Sequence, residues 1–191
     1  MEKNKIIYLD SQITFFEEVE DKVLSSKGKE TVISVLKETE VIYNENSGLN
    51  KEYCDEHGIK YYKGKIDSIG TGVVTAGSIV LTIKRKLLNG GEALSDRFSK
   101  ELCKYLAQKG LPSVRQDNND ILVDGFKVAS GGEITINNWN YMGYQISVNQ
   151  DIEAIENICT KPMIKIPKAL SDYGITTDEI VEFCKEYWEK E

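Results

Sequence analysis

Residues 116–134 constrain the fold most, because they predict two short strands joined by a tight turn. Residues 121–123 are Ile-Leu-Val, and Asp124-Gly125 is a strong hairpin signal. Residues 126–134 predict the second strand, which carries Lys127 just after the turn and then a run of small residues. Small residues let another group approach the backbone closely. The alternative interpretation is an ordinary surface hairpin with a solvated lysine.

Composition and charge exclude several classes of protein. With 191 residues, 40% of them hydrophobic and 29% charged, the chain is long enough to bury a sizeable core. No apolar run reaches the length of a membrane span, and acidic residues come too early in the N-terminal segment for a signal peptide. A net charge of -7 argues against nonspecific binding of nucleic acid. We therefore expect a cytoplasmic protein with no membrane and no nucleic-acid partner.

The four cysteines are scattered through the chain without a C-x-x-C pair. This spacing argues against a zinc site and against a disulfide framework, and it is typical of a reducing compartment. We expect no metal site built from the chain's own residues.

Apolar patterning predicts a series of strands and helices around the hairpin. Strands are predicted at residues 6–9, 31–36, 40–43, 79–83, 111–115, 133–136 and 141–148. A basic run at residues 84–86 predicts a turn. Capping residues and apolar stripes predict helices that begin at Ser11, Asn50, Ser95, Asp151 and Thr176, the last with a Thr176 to Glu179 capping box.

Residues 119–131, NDILVDGFKVASG, resemble the ND(L/I)xxxGxK(V/I/L)(S/A)G hairpin of the lipoate- and biotin-protein ligase superfamily. In that family the hairpin lysine contacts the carboxyl and phosphate oxygens of an acyl-adenylate. The resemblance implies this role for Lys127, and it implies substrate or nucleotide contacts for Asn119, Asp120 and Gly131. The chemistry agrees, because an ammonium group can neutralise an oxyanion or a phosphate. Arg115, just before the hairpin, either faces this site or lies on its rim.

A second candidate binding element precedes the strand predicted at residues 79–83. Lys63 and Lys65 lead into Gly70-Thr71-Gly72, where backbone N–H groups and lysines can surround an anion. A lone G-x-G equally suits a flexible turn. The lipoate ligases carry RRxSGGGxVxHD at this place, and lysine lacks the bidentate fork of arginine.

The segment GYQISVNQDIEAI, residues 143–155, resembles the hGxLxxNxDLxxL segment of the same superfamily. Cys159 follows it, close to the position where octanoyltransferases of the superfamily carry a nucleophilic cysteine. A buried structural cysteine is the favoured alternative. A cysteine nucleophile would require no ATP, whereas ligase chemistry requires no cysteine.

The resemblance implies an α+β fold, with a mixed, mostly antiparallel sheet and helices packed on one side. It implies one catalytic domain over residues 1–191, without the accessory C-terminal domain of longer ligases. The implied activity is acyl transfer to a lysine of a lipoyl- or biotinyl-carrier domain, with ATP and Mg and with lipoate or octanoate as substrate. The alternative is a non-catalytic relative that binds a small acyl or nucleotide ligand or a protein partner, because the loop lacks the family's arginines and histidine.

Overall fold

The computed structural model describes residues 5–10, 32–37, 40–44, 47–64, 73–86, 92–136, 138–161, 163 and 165–189, with only the backbone path given for the first two segments. The helix predicted to begin at Ser11 lies outside the described residues, as do Lys65, Gly70, Thr71 and Gly72.

The main sheet has seven described strands in the order β1-β2-β5-β9-β8-β7-β6. Strands β1 and β2 are parallel, and every other neighbouring pair is antiparallel. This arrangement confirms the predicted mixed, mostly antiparallel sheet. The strands are β1 (Lys5–Asp10), β2 (Val32–Lys37), β5 (Ser78–Lys86), β6 (Ser113–Arg115), β7 (Ile121–Val123), β8 (Phe126–Ile136) and β9 (Trp139–Ser147).

A second, two-stranded sheet consists of the parallel strands β3 (Val41–Tyr43) and β4 (Tyr61–Lys63). Four α-helices are described, together with a 3-10 turn at Leu170–Tyr173. The helices are α1 (Lys51–Glu56), α2 (Leu94–Gln108), α3 (Ile152–Ile158) and α4 (Thr177–Glu189).

Three of the predicted helix caps are confirmed. Asn50 accepts a hydrogen bond from the backbone N–H of Tyr53 at 3.2 Å, and Asp151 accepts one from Ala154 at 3.0 Å. At the start of α4, Glu179 accepts from the Thr176 backbone N–H at 2.8 Å, and the Thr176 hydroxyl accepts from the Glu179 N–H at 3.3 Å. These contacts satisfy N–H groups that have no partner within a helix.

The two longest helices, α2 and α4, cover one face of the main sheet. Phe98 of α2 is completely buried, with its ring 5.0 Å from that of Tyr144 on β9 and 5.6 Å from that of Tyr187 on α4. The core between these layers includes Ile79, Leu81, Ile83, Leu102, Leu106, Ile121, Val123, Met142, Ile146, Ile180 and Cys184.

The small sheet covers part of the opposite face. Val80 of β5 packs there against Ile42 and Val74. Helices α1 and α3 lie against the small sheet, where Cys54 and Ile158 pack on Val41. The long helices therefore share one side of the main sheet, as predicted, while the two short helices belong to the layer on the other side.

The turn predicted at residues 84–86 is wrong, because these residues continue β5. Lys84 pairs with Tyr141 and is only 1% exposed. Its ammonium group lies 4.9 Å from the Trp139 ring centre and 5.7 Å from that of Tyr141. Aromatic rings stabilise a cation over their faces, so a basic residue can occupy an interior strand position.

The predicted start of α2 also differs from the structure. The helix begins at Leu94 after Ala93, and no side chain of its own segment caps it. The Ser95 backbone N–H instead donates to Glu133 Oε2 on β8 at 2.9 Å. A carboxylate also stabilises the positive end of the helix dipole, so a distant strand supplies the cap.

Candidate functional site

Lys127 is the second residue of β8 after the turn and lies on the face of the main sheet opposite α2 and α4, which we name the open face because the small sheet covers only part of it. Asp124 and Gly125 have φ values of 51° and 84°, as a type I′ turn requires. Lys127 pairs with Leu122, whereas Ala129 pairs with Ile121, so β8 contains one extra residue. Ile121 belongs to the core beneath α2 and α4, so its neighbour Leu122 lies on the opposite face of the sheet. Lys127 pairs with Leu122 and therefore lies on that face as well, away from α2 and α4.

The backbone of Lys127 is held on its other side by residues 165–168, which we name the strap. The Lys127 N–H donates to the Ile166 carbonyl at 3.0 Å, and the Lys168 N–H donates to the Lys127 carbonyl at 3.0 Å. Strand β9 pairs with β8 only from Ala129 onward, so the strap takes the place of a neighbouring strand at Lys127. The main chain of Lys127 is therefore fixed from both sides.

Cys159 lies within the electrostatic influence of Lys127, at the end of α3. Burial raises the pKa of the Cys159 thiol, nearby Cys54 raises it further, and the Lys127 ammonium lowers it. The net result is a raised pKa, which disfavours the thiolate that a nucleophile needs. The Lys127 charge thus acts on the Cys159 thiol, but burial outweighs it and the environment suits a neutral thiol.

Asn119 has its polar groups occupied by other residues of the chain. Its side-chain oxygen accepts hydrogen bonds from Arg115, and its amide donates to the Ser95 hydroxyl at 3.3 Å. Its carbonyl accepts from the Tyr144 hydroxyl at 2.5 Å. Arg115 also pairs with Asp96 on α2. These contacts tie the hairpin to α2, so Asn119 and Arg115 have partners within the chain, and a ligand contact by Asn119 stays a prediction.

Asp120 likewise has an internal partner. Its carboxylate lies 2.7 Å from Lys165 Nζ and accepts from Asn118 Nδ2 at 3.0 Å. Lys165 also donates to the Gln116 side chain. Lys165 could not be identified from the sequence, because its partner Asp120 lies 45 positions earlier in the chain.

The two glycines of β8 face opposite ways. A Cβ at Gly131 would lie 2.2 Å from the Tyr144 ring and 2.6 Å from the Gly143 carbonyl, on the helix-bearing side. Tyr144 packs against Gly131, which is a structural reason for a glycine here, and a ligand contact at Gly131 stays a prediction. A Cβ at Gly132 would meet no atom of the described residues within 4 Å. The open approach to the backbone lies at Gly132, which pairs with Gly143.

Small and polar residues on the open face extend from Gly132 on β8 across β9 to β5. Thr82, Gly143 and Gly132 form one row across three strands, and Gln145 and Ser130 lie in the next row beside Val80, which the small sheet covers. Gln145 donates to the Ser78 hydroxyl at 3.0 Å. Further along, buried Gln150 donates to the Thr75 hydroxyl at 2.5 Å. This polar lining was not expected from the sequence, because strand register decides which residues share a face.

The candidate loop is only partly described. Lys63 ends β4 and is exposed, and the following Gly64 N–H donates to the Tyr43 carbonyl at 2.9 Å. Strand β4 belongs to the small sheet that covers the Lys127 side of the main sheet. Lys63 therefore lies in the layer on the same side as Lys127.

A cleft of about 520 Å³ lies between α2 and α4. It is lined by Arg97, Lys100, Tyr105, Phe183 and Tyr187, among others. Since α2 and α4 cover the opposite face of the sheet from Lys127, this cleft is separate from the site built around the hairpin.

Among the described residues, no three or more His, Cys, Asp or Glu side chains form a group able to hold a metal ion. In the same part of the chain, no helix combines the length and the hydropathy needed to cross a bilayer.

Comparisons with known proteins bear on the family and the fold. The chain matches the family described as Lipoyl protein ligase A/B catalytic domain over residues 27–187. A comparison with curated protein sequences gives no significant match.

Three similar solved structures illustrate the shared fold. A lipoate-protein ligase A bound with ATP is 15% identical, with a TM-score of 0.75, covering 96% of this chain and 83% of the other. LipL1 of P. falciparum in complex with lipoate is 16% identical, with a TM-score of 0.75 and coverages of 98% and 62%. A bi-partite lipoate protein ligase from Thermoplasma acidophilum, studied with its E2 lipoyl domain, is 12% identical, with a TM-score of 0.78 and coverages of 100% and 84%. Since the family match covers most of the sequence and the fold agrees, the chain belongs to the lipoyl protein ligase A/B catalytic domain family.

Proposed function

We propose that the protein activates lipoate or octanoate with ATP and transfers the acyl group to a lysine of a lipoyl- or biotinyl-carrier domain. The observation that carries the proposal is the position of Lys127, on the open face of the sheet and with its backbone held on both sides. Similar structures contain ATP or lipoate, and one comes from a study that includes a lipoyl domain. The proposed setting is the cytoplasm, because the free cysteines suit a reducing compartment.

The proposed reaction has two steps. The carboxylate of the acid attacks the α-phosphorus of ATP, which gives an acyl-adenylate and releases pyrophosphate. The amine of the carrier lysine then attacks the acyl carbonyl, which forms an amide and releases AMP. Lys127 would place its positive charge beside the carboxyl and phosphate oxygens, where negative charge develops in both steps. A charge fixed before the reaction requires no rearrangement as the transition state forms.

Other parts of the chain would bind the substrates. Gly132 leaves room for the acyl group on the open face. Lys63, Lys65 and the Gly70-Thr71-Gly72 loop would bind the phosphates. Mg neutralises phosphate charge and takes one or two carboxylates together with phosphate oxygens.

Cys159 is not required in this mechanism. Its raised pKa keeps the thiol protonated near neutral pH, whereas a thioester route requires a thiolate. Cys159→Ser should therefore leave acyl transfer largely intact. An octanoyl adduct on Cys159, formed from an acyl-carrier donor without ATP and detected by mass spectrometry, would contradict the ATP-dependent route.

The direct test combines ligand binding with transfer. Purified protein is heated with lipoate, octanoate or biotin, each with and without Mg-ATP, and with the preformed adenylates. A ligand at one hundred times its Kd stabilises the folded state by about 2.7 kcal/mol, so binding should raise Tm clearly. Transfer to a lipoyl domain is then followed by mass spectrometry.

Lys127→Met should abolish transfer, and Lys104→Met is the matched control because Lys104 is exposed on α2, on the opposite layer. If none of these ligands stabilises the protein, the proposal is wrong.

The second candidate is a non-catalytic relative that binds an acyl or nucleotide ligand or a protein. It is favoured by the loop around Gly70, which lacks the paired arginines of the lipoate ligases. The same assay separates the two candidates, because stabilisation by an adenylate without transfer to any carrier domain would support the non-catalytic role. Transfer that is lost in Lys127→Met would exclude it.

A further inference from the structure

The strap that holds Lys127 is itself held by an ion pair. Lys165 Nζ lies 2.7 Å from Asp120 Oδ2, and the carboxyl side chain of Asp120 is only 9% exposed. Gln116 accepts a second hydrogen bond from Lys165, and Asn118 donates a second one to Asp120. Burial and multiple partners favour one fixed geometry over the mobile geometry of a surface ion pair.

This ion pair joins the two segments that flank Lys127. Asp120 immediately precedes β7, which pairs with Lys127 on one side. Lys165 immediately precedes Ile166, whose carbonyl accepts the Lys127 N–H on the other side. The Asp120 to Lys165 contact therefore links β7 to the strap, with the main chain of Lys127 held between them.

We propose that Asp120 and Lys165 are positioning residues, which act through the strap to fix the main chain of Lys127. The inference rests on the proposed function of Lys127 and gives Asp120 a role different from direct ligand contact. When the ion pair is broken, the strap loses its anchor and the Lys127 backbone loses a fixed neighbour. A displacement of about 1 Å at a reacting group can lower the rate by about a hundredfold.

The first test is Lys165→Met in the full chain. We expect kcat for transfer to a lipoyl domain to fall by about a hundredfold, while KM for the acid stays unchanged. The amides of Lys127 and Lys168 should lose their protection from hydrogen exchange, because their hydrogen bonds open more often. Lys165→Arg should restore much of the rate and the protection, since arginine can pair with the same carboxylate.

Two further variants keep the test decisive. Asp120→Asn/Lys165→Met removes both charges, so that no carboxylate is left buried without its partner, and it should show the same losses if the single variant folds poorly. Lys109→Met breaks the 2.6 Å contact with Glu179 between α2 and α4, away from the hairpin. This control should leave kcat and the exchange of Lys127 unchanged.

The readouts distinguish failure of this inference from failure of the proposed function. Unchanged exchange at Lys127 and Lys168 in the folded variants would overturn the inference, whether or not the protein is an enzyme. Lost protection with an unchanged kcat would also overturn it, because the strap would then open without affecting the reaction at Lys127. Absence of any transfer by the wild-type protein would instead contradict the proposed function.

Discussion

Gly131 and Gly132 show how the direction of a single residue decides its role. Both are adjacent glycines in one strand, and the sequence offers no reason to separate them. Because side chains alternate along a strand, one faces the packed helices and the other faces the open side. The first permits Tyr144 to pack, and the second leaves space beside the proposed acyl site.

We predict that alanine is destabilising at Gly131 and tolerated at Gly132. Gly131→Ala should lower the free energy of unfolding by about 1–3 kcal/mol, the usual cost of overpacking, because the new Cβ would overlap the Tyr144 ring. Gly132→Ala should leave stability close to that of the wild type. Urea denaturation measures both values. Equal destabilisation by the two variants would show that the faces are not as different as the structure indicates.

Among the secondary-structure elements, α4 begins with a charged contact whose strength depends on pH. The hydrogen bond from Lys109 and the bonds from Thr176 lower the pKa of Glu179 to about 2. A carboxyl group whose folded-state pKa is depressed stabilises the protein above its ordinary pKa, and this stabilisation is lost as the pH falls. The window therefore runs from the ordinary value of 4.5 down to about 2.

We predict that Glu179→Gln is less stable than the wild type at neutral pH. The difference should shrink as the pH falls below 4.5 and disappear near pH 2, where the wild-type carboxyl is also protonated. Urea denaturation across this range measures the difference. Glu156→Gln, the same substitution at an exposed position on α3, is the matched control. A constant difference at every pH would argue against the charged capping contact.

At the scale of the whole molecule, the sheet separates two functions. Its helix-bearing face forms the main core. Its other face carries Lys127, Gly132 and the polar residues Gln145 and Ser130. Phe98 connects the layers on the core side, because its ring contacts β9 and α4 from α2. Stability and the proposed chemistry thus depend on different faces of the same strands.

We predict that Phe98→Ala lowers the free energy of unfolding by about 3–5 kcal/mol, because it removes a completely buried ring and leaves a cavity between three elements. Phe98→Leu should cost clearly less, since it keeps most of the apolar volume. Urea denaturation followed by circular dichroism measures both. A loss below about 1 kcal/mol for Phe98→Ala would show that the layers do not depend on this contact.

Features set by neighbouring residues could be predicted from the sequence. The Asp124-Gly125 turn and the caps at Asn50, Asp151 and Thr176 each depend on contacts within about four residues, so composition and spacing are sufficient. The antiparallel pairing of the strands around the hairpin follows from the same local signals and from the resemblance of residues 119–131 to a known family.

The remaining features depended on partners that only the tertiary structure brings together. Glu133 caps α2 from 38 positions away, and Lys165 pairs with Asp120 from 45 positions away. Lys84 is charged, yet register places it beneath two aromatic rings of β9. The sequence thus determined the local elements and Lys127 as the candidate residue. Strand register and long-range contacts decided what surrounds that lysine, because side-chain environment depends on which strands become neighbours.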